Sequence, residues 1–318
     1  MMNNVPPWSE IETLLCGPRG DDCLALLHHL NRRFPIGPDD CALIETMTSV
    51  GLCEKLHDGV VLTVLGMKCA DSAREYLFWR DRGRKFHGED SKPALRLENF
   101  RDKDVVEFGA GWGCNLVRIG TVARRAVGVE IEPVYVALSS ILARREDLRP
   151  PDLRLGTAES TPFETGQFDS VLIWSAIQYT DIARTFREAA RLLRPGGQVL
   201  TSASGLSTYC LNELRCFKKD PRIHLLKTVA LTLTNTLWYR AFGKRLFANS
   251  TSFSTARPIY LPISFLVRMA AREGLRNCDD LTVHEDTMTI LVLRKLSPPP
   301  ATLPDRNVHD GSIWPGKG

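Results

Sequence analysis

From Asp104 onward, short β-branched apolar runs alternate with stretches whose apolar residues recur every three or four positions. Strands buried on both faces read as continuous apolar runs, so this alternation predicts a parallel sheet covered by helices on both sides. The runs predict strands over Asp104–Phe108, Arg125–Glu130, Leu153–Gly156, Ser170–Trp174 and Gln198–Ser204. Helices are expected between them, over Gly113–Ala123, Pro133–Arg144 and Ile182–Leu193. After a long interruption come a helix over Pro262–Glu273 and strands over Asp280–Glu285 and Thr287–Lys295. Only Asp286 separates the last two, which should form an antiparallel hairpin. The expected fold class is α/β, a doubly wound and mostly parallel seven-stranded sheet with an antiparallel last strand.

The first hundred residues read differently. Asp39 is placed to cap an apolar-periodic run that reaches Val50, and Gly51 ends it. His57-Asp58-Gly59 turns Cys53–Leu56 back onto Val60–Thr63, and a further helix follows through Ala73. A Leu62-Thr63-Val64-Leu65-Gly66 run after such a hairpin resembles winged-helix modules. In DNA-binding members the helix before the wing carries Lys or Arg for the phosphates. Here that helix offers Asp39, Asp40 and Glu45, with no basic residue before Lys55. Residues 1–100 hold 12 Lys and Arg against 15 Asp and Glu, which disfavours phosphate binding.

Three segments are therefore expected: an N-terminal helical, winged-helix-like module over 1–95, an α/β domain over 96–296 with an insertion at 205–257, and a Pro-rich disordered tail over 297–318. A hydrophobic content of 43% in 318 residues supplies a real core. The net charge of +4 is too small for a dedicated nucleic-acid binder. Nine cysteines, an odd number with no C-x-x-C pair, make neither a zinc site nor a disulfide framework. No metal is expected, nor a nucleic-acid partner. With no basic-then-apolar leader and no run of 18 apolar residues, the expected location is cytoplasmic, with peripheral membrane contact left open.

Candidate chemistry begins where the first predicted strand runs into Phe108-Gly109-Ala110-Gly111-Trp112-Gly113-Cys114. Glycines at 109 and 111 permit a sharp turn and bring a ligand against the main chain. A dinucleotide fingerprint needs its third glycine at 114, where Cys114 stands. The next strand ends in Glu130, about 20 residues beyond the turn, where a carboxylate can accept hydrogen bonds from ribose hydroxyls. Glu132 fits the N-terminus of the following helix instead.

Taken in order, Glu107-x-Gly109-x-Gly111-x-Gly113, Gly128-Val129-Glu130, Gly156-Thr157-Ala158-Glu159, Phe168-Asp169-Ser170-Val171 and Leu192-Leu193-Arg194-Pro195-Gly196-Gly197 resemble the class I S-adenosylmethionine-dependent methyltransferases. The resemblance implies S-adenosylmethionine as cofactor. Gly109, Ala110, Gly111 and Gly113 would lie along its methionyl portion, and Glu107 would help hold the ammonium. Glu130 would bind the ribose with Ile131 beside it, and Thr157, Ala158 and Glu159 would flank the adenine. Family members usually carry an Asp where Thr157 stands, and a neutral hydroxyl is a weaker partner for the adenine amino group. Trp174 lies at the carboxyl edge of the fourth strand, where an aromatic face attracts a cationic sulfonium. Asp169 reads as a turn and capping residue.

Methyl transfer at a sulfonium needs alignment, and an oxygen nucleophile also needs a proton acceptor. No His-Asp or Lys constellation identifies that base, so the candidates are Tyr179, Tyr209 and His224, while His28, His29 and His284 read as structural. The insertion from Gly205 to Arg257 carries nine basic residues against Glu213 and Asp220, together with the apolar stretch Leu225–Phe247. That combination suits a lid over a hydrophobic or acidic acceptor, or a segment on a membrane surface. The expected function is O-methylation of a small molecule in biosynthesis, with the N-terminal region supporting a homodimer as in small-molecule O-methyltransferases. The alternatives are a lipid or prenylated acceptor at a membrane surface, or a non-catalytic S-adenosylmethionine-binding regulator.

Overall fold

The computed structural model describes residues 6–31, 37, 40–57, 59–86, 93–211, 223–247, 257–284 and 288–296, with backbone alone for 223–227 and 284. The expected tail, Asp39, Asp58, Asp286 and the 212–222 and 248–256 parts of the insertion lie outside the described residues. The chain opens with helices α1 (Trp8–Cys16), α2 (Gly20–Asn31) and α3 (Cys41–Ser49). The hairpin β1 (Cys53–Leu56) and β2 (Gly59–Leu62) follows, pairing Cys53 with Leu62 and Leu56 with Gly59. Helix α4 (Val64–Asp81) starts where the Thr63 hydroxyl accepts the Gly66 N–H at 3.0 Å. It runs eight residues beyond the expected end at Ala73.

The sheet begins with β3 (Asp104–Phe108), all five residues of which are buried. Then come α5 (Cys114–Ile119), β4 (Arg125–Glu130), α6 (Pro133–Arg145), β5 (Asp152–Leu155), β6 (Phe168–Ile173), α7 (Ile182–Leu192) and β7 (Leu193–Ala203). In α7 the residues Ile182, Phe186, Ala189 and Leu192 fall on one buried face, as a helix against a sheet requires. The chain closes with α8 (Ile223–Phe242), α9 (Ile263–Arg272), β8 (Leu275–Asn277), β9 (Val283–His284) and β10 (Thr289–Lys295).

Strand order is β5-β4-β3-β6-β7-β10-β8, parallel from β5 to β7, with β10 antiparallel to both of its neighbours. Two expectations need correction. The predicted strand over Asp280–Glu285 is only the two-residue β9, and β8 precedes it, so two short strands line the far edge of β10 and the sheet has eight strands. The reason is a turn between them: the N–H groups of Leu281 and Thr282 both donate to the Cys278 carbonyl, at 3.0 and 2.9 Å. Asn277, Asp279 and Asp280 favour such local bonding over a ladder. Strand β7 also starts early, at Leu193 opposite Phe168, and skips to Gln198 opposite Ser170, so Arg194–Gly197 bulge out of register.

The N-terminal elements are built onto the sheet domain. One buried cluster joins Leu15, Leu27, Met47, Tyr76 and Trp79 to Tyr135, Leu138, Ile141 and Leu142 of α6, and to Trp112 of the Gly-rich loop. The Trp79 and Trp112 rings meet edge-on at 5.1 Å. Core packing therefore runs across the expected boundary near residue 95. Among the described residues no helix is long and apolar enough to cross a membrane.

Successive connections from β3 run outward to β4 and β5, and the chain then returns to β6 on the other side of β3. In open α/β sheets this reversal leaves a crevice at the carboxyl ends of the strands, and ligands bind there.

Candidate functional site

The crevice opens beyond Phe108. Gly109 and Gly111 take left-handed backbone angles, φ +66° and +58°, which an L side chain resists. A Cβ on Gly109 would lie 2.8 Å from the Ala176 methyl, and one on Gly111 would strike the Glu75 carboxylate. The N–H groups of Gly109 and Ala110 donate to the Val129 carbonyl at 2.9 and 3.2 Å, tying the loop to the end of β4.

Three carboxylates surround this loop. Glu107, only 1% exposed, accepts the Asn115 amide on Oε1 at 2.6 Å, and its Oε2 is buried with no hydrogen-bond partner. Burial pushes the Glu107 carboxyl well above its ordinary range, Asn115 opposes this, and the charges of Glu75 and Glu130 push it further up. Glu130 accepts the N–H groups of Gly111 on Oε2 at 2.9 Å and of Ile131 and Glu132 on Oε1 at 2.8 and 3.0 Å. Burial nonetheless raises its pKa to about 7, against the pull of those three N–H groups and with a further push from Glu75. Glu75, from α4, accepts the Cys114 thiol at 3.3 Å. Burial raises it too, while Cys114, Arg74 and the Trp112 N–H hold it down.

These groups line one cavity of about 1170 Å³. Of the residues expected in the site, Glu107, Gly109, Ala110, Gly111, Glu130, Ile131, Thr157, Ala158, Glu159, Trp174, Tyr179 and Tyr209 all lie on its wall. Gly113 does not. It is the left-handed N-cap of α5, and a Cβ there would lie 2.6 Å from Pro151, so packing alone calls for a glycine at this position. The side chain of His224 lies outside the described residues. Trp174, 9% exposed, lines the cavity and packs on Phe86 with ring centres 6.4 Å apart. Glu159 accepts the Asp181 N–H at 2.7 Å.

Two acids lie elsewhere. Glu132, 2% exposed, caps α6 through the Val134 N–H at 3.2 Å and pairs with Lys68 at 2.7 Å, in keeping with its expected place at a helix N-terminus. Asp169 sits at the amino ends of the strands, accepting the Asp104 N–H at 2.8 Å and pairing with Arg194 at 2.7 Å.

Other cavity residues were not anticipated. Arg74, Glu75, Leu77, Phe78 and Asp81 of α4 line it, as do Asn115, His28 and Tyr260. Within α4 the buried Tyr76 and Trp79 face the N-terminal core, while Arg74, Phe78 and Asp81, spaced three or four apart, form a stripe on the cavity side. That spacing is the one signal the sequence held for them. Tyr260 stacks on Tyr209 with ring centres 4.5 Å apart. The insertion is latched beside them. Arg245 donates to the carbonyls of Arg257, Gln178 and Thr180 at 2.9, 3.0 and 2.7 Å, so this cation serves the fold and does not stand ready for an acidic ligand.

Residues 106–201 match the family model of the methyltransferase domain. An uncharacterised methyltransferase of Bacillus subtilis strain 168 is 27% identical over 124 residues, covering 38% of this chain and 49% of that protein. An uncharacterised methyltransferase of Mycobacterium bovis is 36% identical over 95 residues, covering 30% of this chain and 37% of that protein. The chain thus spans half or less of the length of these relatives. A solved S-adenosylmethionine-dependent methyltransferase of Methanosarcina mazei superposes with a TM-score of 0.44 at 14% identity, over 64% of this chain and 97% of that one. Residues 106–201 are thus similar to the methyltransferase domain, and S-adenosylmethionine is the cofactor that this likeness supports.

The residues present fit that molecule. The partnerless Oε2 of Glu107 offers an acceptor for an ammonium. Gly109 and Gly111 leave the main chain bare at the cavity wall. Glu130 has used three of roughly four acceptor positions of a carboxylate, leaving one for a ribose hydroxyl.

Proposed function

We propose that this protein transfers a methyl group from S-adenosylmethionine to an oxygen of a small-molecule acceptor. The observation that carries this reading is a single cavity running from the Gly-rich loop and Glu130 to the aromatic wall of Trp174, Tyr209 and Tyr260. Its volume of about 1170 Å³ exceeds the ~300–1,000 Å³ of a pocket for one drug-sized ligand, which supports space for donor and acceptor together. In this reading Glu107 and the loop backbone hold the methionyl end, Glu130 the ribose, and Thr157, Ala158 and Glu159 the adenine side. The bound cofactor supplies an activated methyl group on a cationic sulfur. The face of Trp174 favours positive charge nearby, and the Tyr209–Tyr260 stack orients a flat or apolar acceptor against the donor. Tyr179 and Tyr209 bring phenols to the same wall, where they act as hydrogen-bond partners. His28, on the same cavity wall, brings an imidazole that can serve as the proton acceptor.

The test is incubation with methyl-labelled S-adenosylmethionine and an extract of the source cells, followed by separation into small-molecule, lipid, protein and nucleic-acid fractions. Label should enter the small-molecule fraction with the wild type and not with Gly109→Val. Label confined to another fraction would refute the acceptor class. A lipid acceptor is favoured by one specific feature, the exposed Leu237, Trp238 and Phe242 of α8 beside exposed Arg240 and Lys244. Flotation with anionic liposomes separates that reading from the first.

A further inference from the structure

We propose that Glu75, carried by the N-terminal helix α4, is a direct ligand of the ammonium group of S-adenosylmethionine, so that the segment before the sheet domain completes the cofactor pocket. The inference rests on the cofactor reading given above and adds a binding residue from outside the 106–201 domain.

Position comes first. The Glu75 carboxylate occupies the space where a side chain at 111 would begin, so it lies directly on the turn that takes the methionyl end, and it lines the same cavity as Glu107 and Glu130. Beside it, Glu107 lines the same cavity and keeps Oε2 buried without a hydrogen-bond partner. A buried acceptor left unpaired costs free energy unless a donor arrives, and a ligand bound in the cavity can bring one.

Charge points the same way. The Cys114 thiol, the Trp112 N–H and the Asn115 amide, which donate to Glu75 and Glu107, are neutral, and they satisfy geometry without cancelling charge. Arg74 acts on Glu75 from its own helix and is the one cation among the causes that act on either carboxyl. Glu75 and Glu130 both push the Glu107 carboxyl up, and Glu75 pushes Glu130 up, so negative charge is crowded along this wall. An ammonium with three donors on one compact cation answers both needs, meeting Oε2 of Glu107 and the Glu75 carboxylate at once. Two anchors on different elements would also clamp α4 against the Gly-rich loop when the site fills.

The competing role is structural: Glu75 would only pin the loop through Cys114 and the Trp112 N–H. Two ligands separate the roles. S-adenosylhomocysteine carries the amino-acid ammonium, and 5′-methylthioadenosine has the same nucleoside and sulfur without it. Both are titrated calorimetrically into the full chain, wild type and Glu75→Gln. The variant should bind S-adenosylhomocysteine about tenfold to a hundredfold more weakly, the range of a hydrogen bond to a charged group, and 5′-methylthioadenosine within about twofold of wild type. Unchanged affinity for S-adenosylhomocysteine, or equal loss for both ligands, overturns the proposal. Should the wild type bind neither, the cofactor reading falls as well, an outcome distinct from the other two. Glu75→Asp, which keeps the charge on a shorter arm, guards against a folding defect in the Gln variant. It should lose affinity for S-adenosylhomocysteine alone, and a parallel loss for both ligands again overturns the assignment.

Discussion

Replacing Glu130 by Gln removes one acceptor from a carboxylate that now serves three backbone donors. The amide oxygen can take over the Ile131 and Glu132 N–H groups, which share Oε1 at 2.8 and 3.0 Å. The NH₂ group then meets the Gly111 N–H that Oε2 accepted at 2.9 Å, donor against donor. One buried donor left unpaired costs about 1–3 kcal/mol. Loss of the charged acceptor for a ribose hydroxyl should add about 1.5–3 kcal/mol to the free energy of S-adenosylhomocysteine binding, roughly tenfold to a hundredfold in Kd. The stability difference also depends on pH. Burial raises the Glu130 pKa to about 7 from 4.5, so its contribution is fully present below about 4.5 and is lost as pH rises through about 7. Without ligand, Glu130→Gln should therefore cost most near pH 5 and progressively less toward pH 8. Chemical denaturation across that range and calorimetric titration with S-adenosylhomocysteine read the two effects separately. Wild-type affinity in Glu130→Gln, with Glu132→Ala losing tenfold, would refute the ribose assignment and move it two residues along.

The remaining expectations concern neighbouring groups. Glu132→Ala removes the α6 cap and the partner of Lys68, so denaturant unfolding should register a loss of about 0.5–2 kcal/mol, while S-adenosylhomocysteine affinity stays within about twofold. Arg124, and after it Arg194, hold the Asp104 carboxyl down to about 2 against the opposing effect of burial. That stabilisation is present above about 3.8 and lost as pH falls toward about 2, so Asp104→Asn should flatten the acid limb of a stability profile; an unchanged limb would remove Asp104 as its source. His28→Ala should slow label transfer by about 10²–10⁴-fold if its imidazole accepts the proton, with S-adenosylhomocysteine affinity unchanged. A variant that transfers label at the wild-type rate would strike His28 from the site.

How far the sequence carried the fold varies from element to element, for physical reasons. β3 and β4 end where they were expected, at Phe108 and Glu130, because an apolar run buried on both faces stops abruptly at a turn or a charge. The edge near Cys278 was misread because a strand and a local turn compete there, and two backbone bonds to one carbonyl decide between them. The motif position of Gly113 does not show its packing role, because the Pro151 ring that a Cβ there would meet is far away in the chain. Glu75 was missed for the same non-local reason. Its neighbours Tyr76 and Trp79 point into the N-terminal core, and only the packing of α4 on the Gly-rich loop brings the adjacent carboxylate to the site. Glu107 and Glu130 were legible because strand ends and the Gly-rich turn are contiguous with them.

Calorimetric titration of the purified chain with S-adenosylhomocysteine and with NAD is the most direct measurement. S-adenosylhomocysteine should bind in the micromolar range, an order-of-magnitude expectation for a buried nucleoside ligand, with no appreciable heat from NAD. Gly109→Val should abolish the signal, since its side chain would enter the space of Ala176 and the ligand. Binding of NAD in preference to S-adenosylhomocysteine, or full S-adenosylhomocysteine affinity in Gly109→Val, would contradict a methyl-donor site at the Gly109–Gly111 loop.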